Sequence, residues 1–320
     1  MLNRLTFTGR TILSCLLLLL CLLSFLSILY RPDWTLTSPK NLSLYIKPNE
    51  NTTIISPNEN HHCKSSPYLY IIICSSVNNQ DQRNAIRNTW GSSQHLEALN
   101  YSVKINFILG HSEINHDNDL VSIEADKYGD IIQENFHDSY NNLTIKVGMI
   151  LKWVNKNCKG IKYLMKTDDD MFVNIDNLLT ALSSKPHDTN ILIGHLVENQ
   201  IPIRDSSNIW YTPRSMYHHD KFPDFVSGTG YVMSIDVAIK IYNASLKIPF
   251  IFLEDVYFTG ICADNVGVKP AHQLGFSFEP RRGDINISNN SITSHQVTVN
   301  MMHAIWNMSH HGYTNYKKTD

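Results

Sequence analysis

After Tyr68 the chain alternates short apolar runs with helical ones, and that alternation is the strongest constraint on its fold. YLYIIIC (68–74), KINFILG (104–110), IKYLMK (161–166), NILIGHLV (190–197) and GYVMS (230–234) are rich in β-branched and aromatic residues and read as strands. Several are apolar at nearly every position, as strands buried on both faces are. Between them Leu143, Val147, Ile150, Leu151 and Val154 recur at helical spacing, which marks one face of a helix. The pattern predicts an α/β sandwich with a mostly parallel central sheet. In such sheets ligands sit beyond the carboxyl ends of the strands.

That rule gives meaning to YLMKTDDDMFVN (163–174), where an apolar run ends in Asp168, Asp169 and Asp170. If the segment stays extended, Asp168 and Asp170 project to one side and Asp169 to the other. Two carboxylates facing one spot repel unless a cation or donors neutralise them. A hard divalent cation with oxygen ligands, Mn²⁺ or Mg²⁺, suits such a site, whereas the run taken alone also reads as a solvated acidic turn. An EF-hand beginning at Asp168 would require Gly and Glu where Val173 and Leu179 stand. No P-loop and no H-E-x-x-H occur, and Gly228, Thr229, Gly230 lead to Met233 where a dinucleotide fingerprint has its third glycine. The pairs His61/His62, His218/His219 and His310/His311 read as exposed. A net charge of -2 gives no reason to expect nucleic acid.

The residues from Thr11 to Tyr30 carry no charge, and as a helix they would span roughly 30 Å, the thickness of a bilayer's hydrocarbon core. A cleaved signal peptide has a shorter apolar region ending in small residues. The expectation is a retained signal-anchor over 11–30 with Arg4 and Arg10 in a cytosolic tail (1–10) and the rest of the chain luminal. Residues 31–66, punctuated by Pro32, Pro39, Pro48 and Pro57, read as a luminal stem, leaving 67–320 as the folded domain. Eight glycosylation sequons fit export: Asn41, Asn51, Asn100, Asn142 and Asn243, with Asn286, Asn289 and Asn307. Cys15 and Cys21 lie in the span, and the other four cysteines, Cys63, Cys74, Cys158 and Cys262, can pair in three ways.

RNAIRNTWG (83–91), DSYNNLTIKV (138–147), LKWVNKNC (151–158), KTDDDMFVN (166–174), FPDFVSGTGYVMS (222–234), LEDVYFTGICA (253–263) and ITSHQV (292–297) occur in one order. As an ordered set over about 67–310 they resemble the β-1,3-glycosyltransferases, a family of galactosyl- and N-acetylglucosaminyltransferases. The resemblance implies a type II Golgi membrane enzyme of the GT-A fold that moves a sugar, galactose first and N-acetylglucosamine as the alternative, from a UDP donor to the 3-hydroxyl of a glycan acceptor on protein or lipid. It implies inversion at the anomeric carbon and Mn²⁺ on the diphosphate. By position Asp170 and His295 resemble the metal ligands, and Asp168 and Asp169 the residues holding the nucleotide. Arg83, Arg87 and Trp90 resemble first-strand nucleotide contacts, and Asp255 resembles the general base. The family's cysteine positions imply a Cys63–Cys158 disulfide.

The residues themselves leave other roles open. Arg83 and Arg87 stand at i, i+4 and fit an exposed helix pair as well as a phosphate clamp; Trp90 fits a core. Gly228 and Gly230 suit close approach to a nucleotide-sugar or a tight turn. Glu254 and Asp255 read as the first turn of a helix, where acids also serve as caps; Glu254 is assigned with the nucleotide-sugar contacts. Trp210 and Tyr217 are the expected acceptor platform. Phe258 and Thr259 separate Tyr257 from Gly260, one residue more than the family's usual spacing, which puts the downstream helix register in question. A membrane-anchored metal-dependent lectin would also explain the acidic cluster, but a lectin has no use for Asp255.

Overall fold

The computed structural model describes residues 16–22, 40–59, 61–285 and 288–311. Of the expected signal-anchor only 16–22 is described, and it is helical and exposed; the remainder of 11–30, the tail 1–10, Cys15, Asn286 and the part 31–39 of the stem lie outside the described residues. No helix among the described residues is long and apolar enough to cross a membrane.

Eight strands form one twisted sheet: β2 (Thr53–Ile55), β3 (Leu69–Cys74), β4 (Val103–His111), β5 (Ile131–His137), β6 (Tyr163–Asp168), β8 (Leu192–Val197), β9 (Phe225–Ser234) and β11 (Ala271–His272). Short pairs join β1 (Lys40–Asn41) to β10 (Pro249–Phe250) and β7 (Phe172–Val173) to β12 (Thr293–Ser294). The order across the large sheet is β11-β8-β9-β6-β3-β4-β5-β2. Its centre, β6-β3-β4-β5, is parallel, while β9 runs antiparallel to both of its neighbours and β2 antiparallel to β5. The sheet is therefore mixed, with a parallel heart. All five expected strands are present, and β3 is buried at every residue, as its unbroken apolar run requires. Tyr70, Ile72 and Cys74 enter one core and Leu69, Ile71 and Ile73 the other.

The helix Leu143–Asn157 was expected to bury one face, yet it is buried at every residue from Thr144 to Val154. Its second face is covered by the supposed stem. Leu42 and Ile46 are fully buried and lie so close to Gly148 that a Cβ there would meet both at 3.1 Å. The Nζ of Lys152 donates to the Ile46 carbonyl at 2.7 Å and to Thr52 Oγ1 at 2.6 Å. β1 pairs with β10 and β2 closes the sheet edge. The stem boundary at 66 is thus corrected: proline and asparagine content suggested a linker, but a few apolar anchors dock residues 40–66 onto the domain.

Cys63 and Cys158 are joined by a disulfide across 95 positions, fastening this segment to the end of the same helix. Closing so long a loop should contribute about 2–5 kcal/mol. Replacing both cysteines by serine is expected to lower the urea unfolding midpoint accordingly; an unchanged midpoint would show the crosslink to be dispensable. Cys74 and Cys262 are buried thiols. Among the sequons Asn41, Asn51, Asn100 and Asn243 are exposed. Asn142 is half-buried, and its Nδ2 donates to the His137 carbonyl at 2.8 Å.

Candidate active site

β3 and β6 lie side by side in register, with Cys74 opposite Asp168, so their carboxyl ends open together. A cavity of about 710 Å³ lies there, and Asp168, Asp169, Asp170, Gly228, Glu254, Asp255, Trp210 and His295 all border it. The chain turns at Asp169 rather than staying extended. Asp169 is buried, accepting from Ser75 Oγ at 2.6 Å and Asn79 Nδ2 at 2.9 Å, while Asp168 and Asp170 remain partly exposed.

β12 pairs with β7 and brings His295 to Asp170, with Nε2 and Oδ2 3.5 Å apart. His295 Nδ1 lies 2.7 Å from the Phe278 carbonyl. A carbonyl can only accept, so Nδ1 carries a proton, and Nε2 is the ring nitrogen turned towards Asp170. Burial and the neighbouring Asp168 push the Asp170 carboxyl up to about 6, against the pull of His295. An imidazole nitrogen beside crowded carboxylate oxygens fits a divalent cation. No group of three or more His, Cys, Asp or Glu side chains able to hold a metal occurs among the described residues. Asp170 and His295 are the two side chains at the cavity that could offer such an ion a ligand pair.

Lys166, unremarked in the sequence beyond its place in the motif, ties the site together. It is buried, and its Nζ contacts Asp168 Oδ1 at 2.8 Å, Glu254 Oε1 at 2.8 Å and the Gly228 carbonyl at 2.6 Å. Burial alone would lower its pKa; Asp168 and Glu254 outweigh that and hold it well above the ordinary value. Glu254 accepts also from Tyr231 at 3.1 Å, and burial, opposed by Lys166, carries it to about 7. The period-two spacing of Lys166 and Asp168 was a legible signal that they share a face.

Asp255 caps a helix, as expected for an acid in this position. Its Oδ1 accepts from its neighbour Val256 N at 2.8 Å and its Oδ2 from Gly228 N at 3.0 Å. Burial raises its pKa, and the two N–H groups work against that rise. A Cβ at Gly228 would stand 2.8 Å from Glu254 Oε1 and 3.3 Å from Asp255 Oδ2, so only glycine lets the strand approach both carboxylates.

Five expected site residues are not at this cavity's wall. Arg83 is fully buried, gripping Glu124 through Nε at 2.8 Å and Nη2 at 2.6 Å. Arg87 makes a bidentate pair with Asp130, both contacts at 2.8 Å, reaches Glu124 at 2.7 Å, and lies over the Tyr128 ring. Two buried carboxylates consume both guanidinium groups, so neither is a phosphate clamp. Arg83 serves the site indirectly, donating to Ser75 Oγ at 2.9 Å, which in turn holds Asp169. Trp90 is fully buried in the core. Gly230 lies within the β6–β9 pairing, where a Cβ would meet Thr167 Oγ1 at 3.3 Å. Tyr217 packs on Phe222 and donates to the Lys221 carbonyl at 3.0 Å.

The second aromatic at the mouth is instead Tyr140, 62% exposed, whose OH receives the Trp210 Nε1 proton at 3.2 Å; Trp210 is itself 49% exposed. Both border the cavity.

The family profile described as Galactosyltransferase matches residues 81–274. Beta-1,3-galactosyltransferase 1 of Mus musculus and of Homo sapiens are each 40% identical to the chain over 254 residues, covering 78% of this chain and 76% of theirs. Beta-1,3-galactosyltransferase 5 of Mus musculus is 40% identical over 209 residues, covering 65% of this chain and 67% of its own. With a family profile matched over more than half of its length and relatives 40% identical over 78% of it, the chain belongs to the galactosyltransferase family.

Proposed function

We propose that this protein is an inverting β-1,3-galactosyltransferase of GT-A type, moving galactose from UDP-galactose to the 3-hydroxyl of a glycan acceptor. The observation that carries this reading is the single cavity in which Asp255, held by the Gly228 N–H, sits with the Asp168–Asp170 cluster, Lys166 bridging Asp168 to Glu254 and to the Gly228 carbonyl. The 40% identity to relatives named beta-1,3-galactosyltransferases supports galactose as the sugar.

In this mechanism Asp255 takes the acceptor's 3-hydroxyl proton as that oxygen bonds to the anomeric carbon. The bond from that carbon to the diphosphate breaks, and its electron pair leaves with UDP. Asp168 and Asp169 orient the nucleotide, with Glu254 and Gly228 shaping the sugar pocket. Trp210 and Tyr140 offer flat faces to the acceptor. Asp170 and His295 would hold Mn²⁺ or Mg²⁺, which when bound would supply charge stabilisation to the departing diphosphate. The uncharged run 11–30 and the exposed sequons support a type II arrangement in the Golgi membrane with the domain luminal.

The test is a screen of UDP-sugars with Mn²⁺ against galactose- and N-acetylhexosamine-terminated acceptors. UDP-galactose is expected to be consumed and UDP-N-acetylglucosamine left; the reverse preference would replace the sugar assignment. Excess chelator should abolish turnover, and Asp170→Asn should reduce it by about 10²-fold or more, since the charge and one oxygen ligand are weakened together. Full activity in chelator would remove the cation from the reaction.

A further inference from the structure

β9 runs on beyond the end of β6, their pairing closing at Thr167 and Gly230. On the overhanging stretch Val226 faces β8 along one edge, opposite Leu196, and along the other its polar groups meet the segment that carries Asp255. Gly228 N donates to Asp255 Oδ2 at 3.0 Å. Two residues earlier, Val226 N donates to Thr259 Oγ1 at 3.1 Å. That hydroxyl, which has one proton to give, lies 2.6 Å from the Asp255 carbonyl and 3.2 Å from the Val226 carbonyl. Thr259 is fully buried. Asp255 is therefore gripped at both ends, its carboxylate by Gly228 and its carbonyl by Thr259, and both grips hang from one strand edge.

The reach of Thr259 depends on local geometry. Val256–Cys262 is a π-helix, and this is where Phe258 and Thr259 make the chain one residue longer than the spacing of the resembling sequences. A π turn takes in one residue more than an α turn, so the extra residue is absorbed within the helix while Asp255 keeps its place. Gly260 allows the widened turn to press on the strand: a Cβ there would stand 3.2 Å from Phe225 Cβ.

We propose that Thr259 is a positioning residue for Asp255, and that the widened turn sets its hydroxyl between Asp255 and the edge of β9. The inference rests on the reading of Asp255 as general base. It predicts that the hydroxyl acts on turnover rather than on donor binding, because Thr259 is absent from the cavity wall.

Thr259→Val keeps the shape and removes the hydroxyl, and Thr259→Ser keeps the hydroxyl and removes the methyl. With UDP-galactose, Thr259→Val is expected to lower kcat by about 10- to 100-fold, as a small displacement of a reacting group does, with donor KM within about twofold of wild type. Thr259→Ser is expected to stay within about threefold in kcat. If the valine variant does not fold, Thr259→Ala replaces it in the same comparison. A hydroxyl-free variant with near-wild-type kcat would overturn the proposal. So would equal losses in the serine and hydroxyl-free variants, which would assign Thr259 to packing. Asp255→Asn, assayed alongside, separates the two levels: if it is fully active the base assignment fails, whereas an inactive Asp255→Asn beside an active Thr259→Val refutes only the role of Thr259.

Discussion

Asp255→Asn is expected to lower turnover by about 10²–10⁴-fold, the range typical for loss of a general base, while Tm falls by only a few degrees. The substitution conserves size, but Asp255 accepts two backbone N–H groups, and an amide can accept only through its oxygen. One hydrogen bond is lost, as in a weakened helix cap, at about 1 kcal/mol, or about 2–4 °C for a domain of this size. The stability and rate effects thus differ by an amount that one purified variant resolves. The pH profile gives a second reading. A base must be ionised to accept a proton, so activity declines as pH falls through its pKa. Because burial raises Asp255, that decline should begin above the ordinary carboxylate range near about 4. Near-normal turnover would pass the role to Glu254, the adjacent carboxylate on the same wall.

The features legible in the sequence are those with local causes. β3 was readable because every residue is apolar, and the acidic cluster because a strand ends where it begins. β5 was not, since Gln133, Glu134 and Asn135 interrupt its pattern; Glu134 is buried and satisfied by Thr52 and Thr53, some 80 positions away. The arginine pair shows the same limit. Its i, i+4 spacing does place Arg83 and Arg87 on one helix, but their partners Glu124 and Asp130 come from the far side of β4 in the sequence. Motif position suggested phosphate; the nearest buried anions decided otherwise. Tyr217 and Tyr140 were equally plausible as loop aromatics, and only the approach of residues 70 apart separates them. The additional residue at Phe258 and Thr259 was visible, whereas its absorption in a π-helix required the backbone.

A chain beginning at Lys40 is expected to fold, and one beginning at Pro67 is not. The second removes Leu42 and Ile46 from the core, and emptying a buried aliphatic site costs about 2–5 kcal/mol. It deletes β2 and with it Thr52 and Thr53, whose hydroxyls contact the two oxygens of buried Glu134 at 2.6 and 2.8 Å. Lys152 loses both of its hydrogen-bond acceptors, Ile46 and Thr52, at a buried position, and a stranded buried charge costs about 3–5 kcal/mol. Loss of Cys63 opens the disulfide, a further 2–5 kcal/mol or so. Together these match the roughly 5–15 kcal/mol that a whole domain has to spare. A start at Pro48 is the informative intermediate: it keeps β2 and Cys63 but frees β10 from β1, five residues before Asp255. That chain should unfold cooperatively at a lower Tm and turn over more slowly, because the strand leading into the base is no longer held at its edge. Circular dichroism melts of the three truncations decide the matter. A cooperative transition for the Pro67 chain near that of the Lys40 chain would return residues 40–66 to the status of a tether.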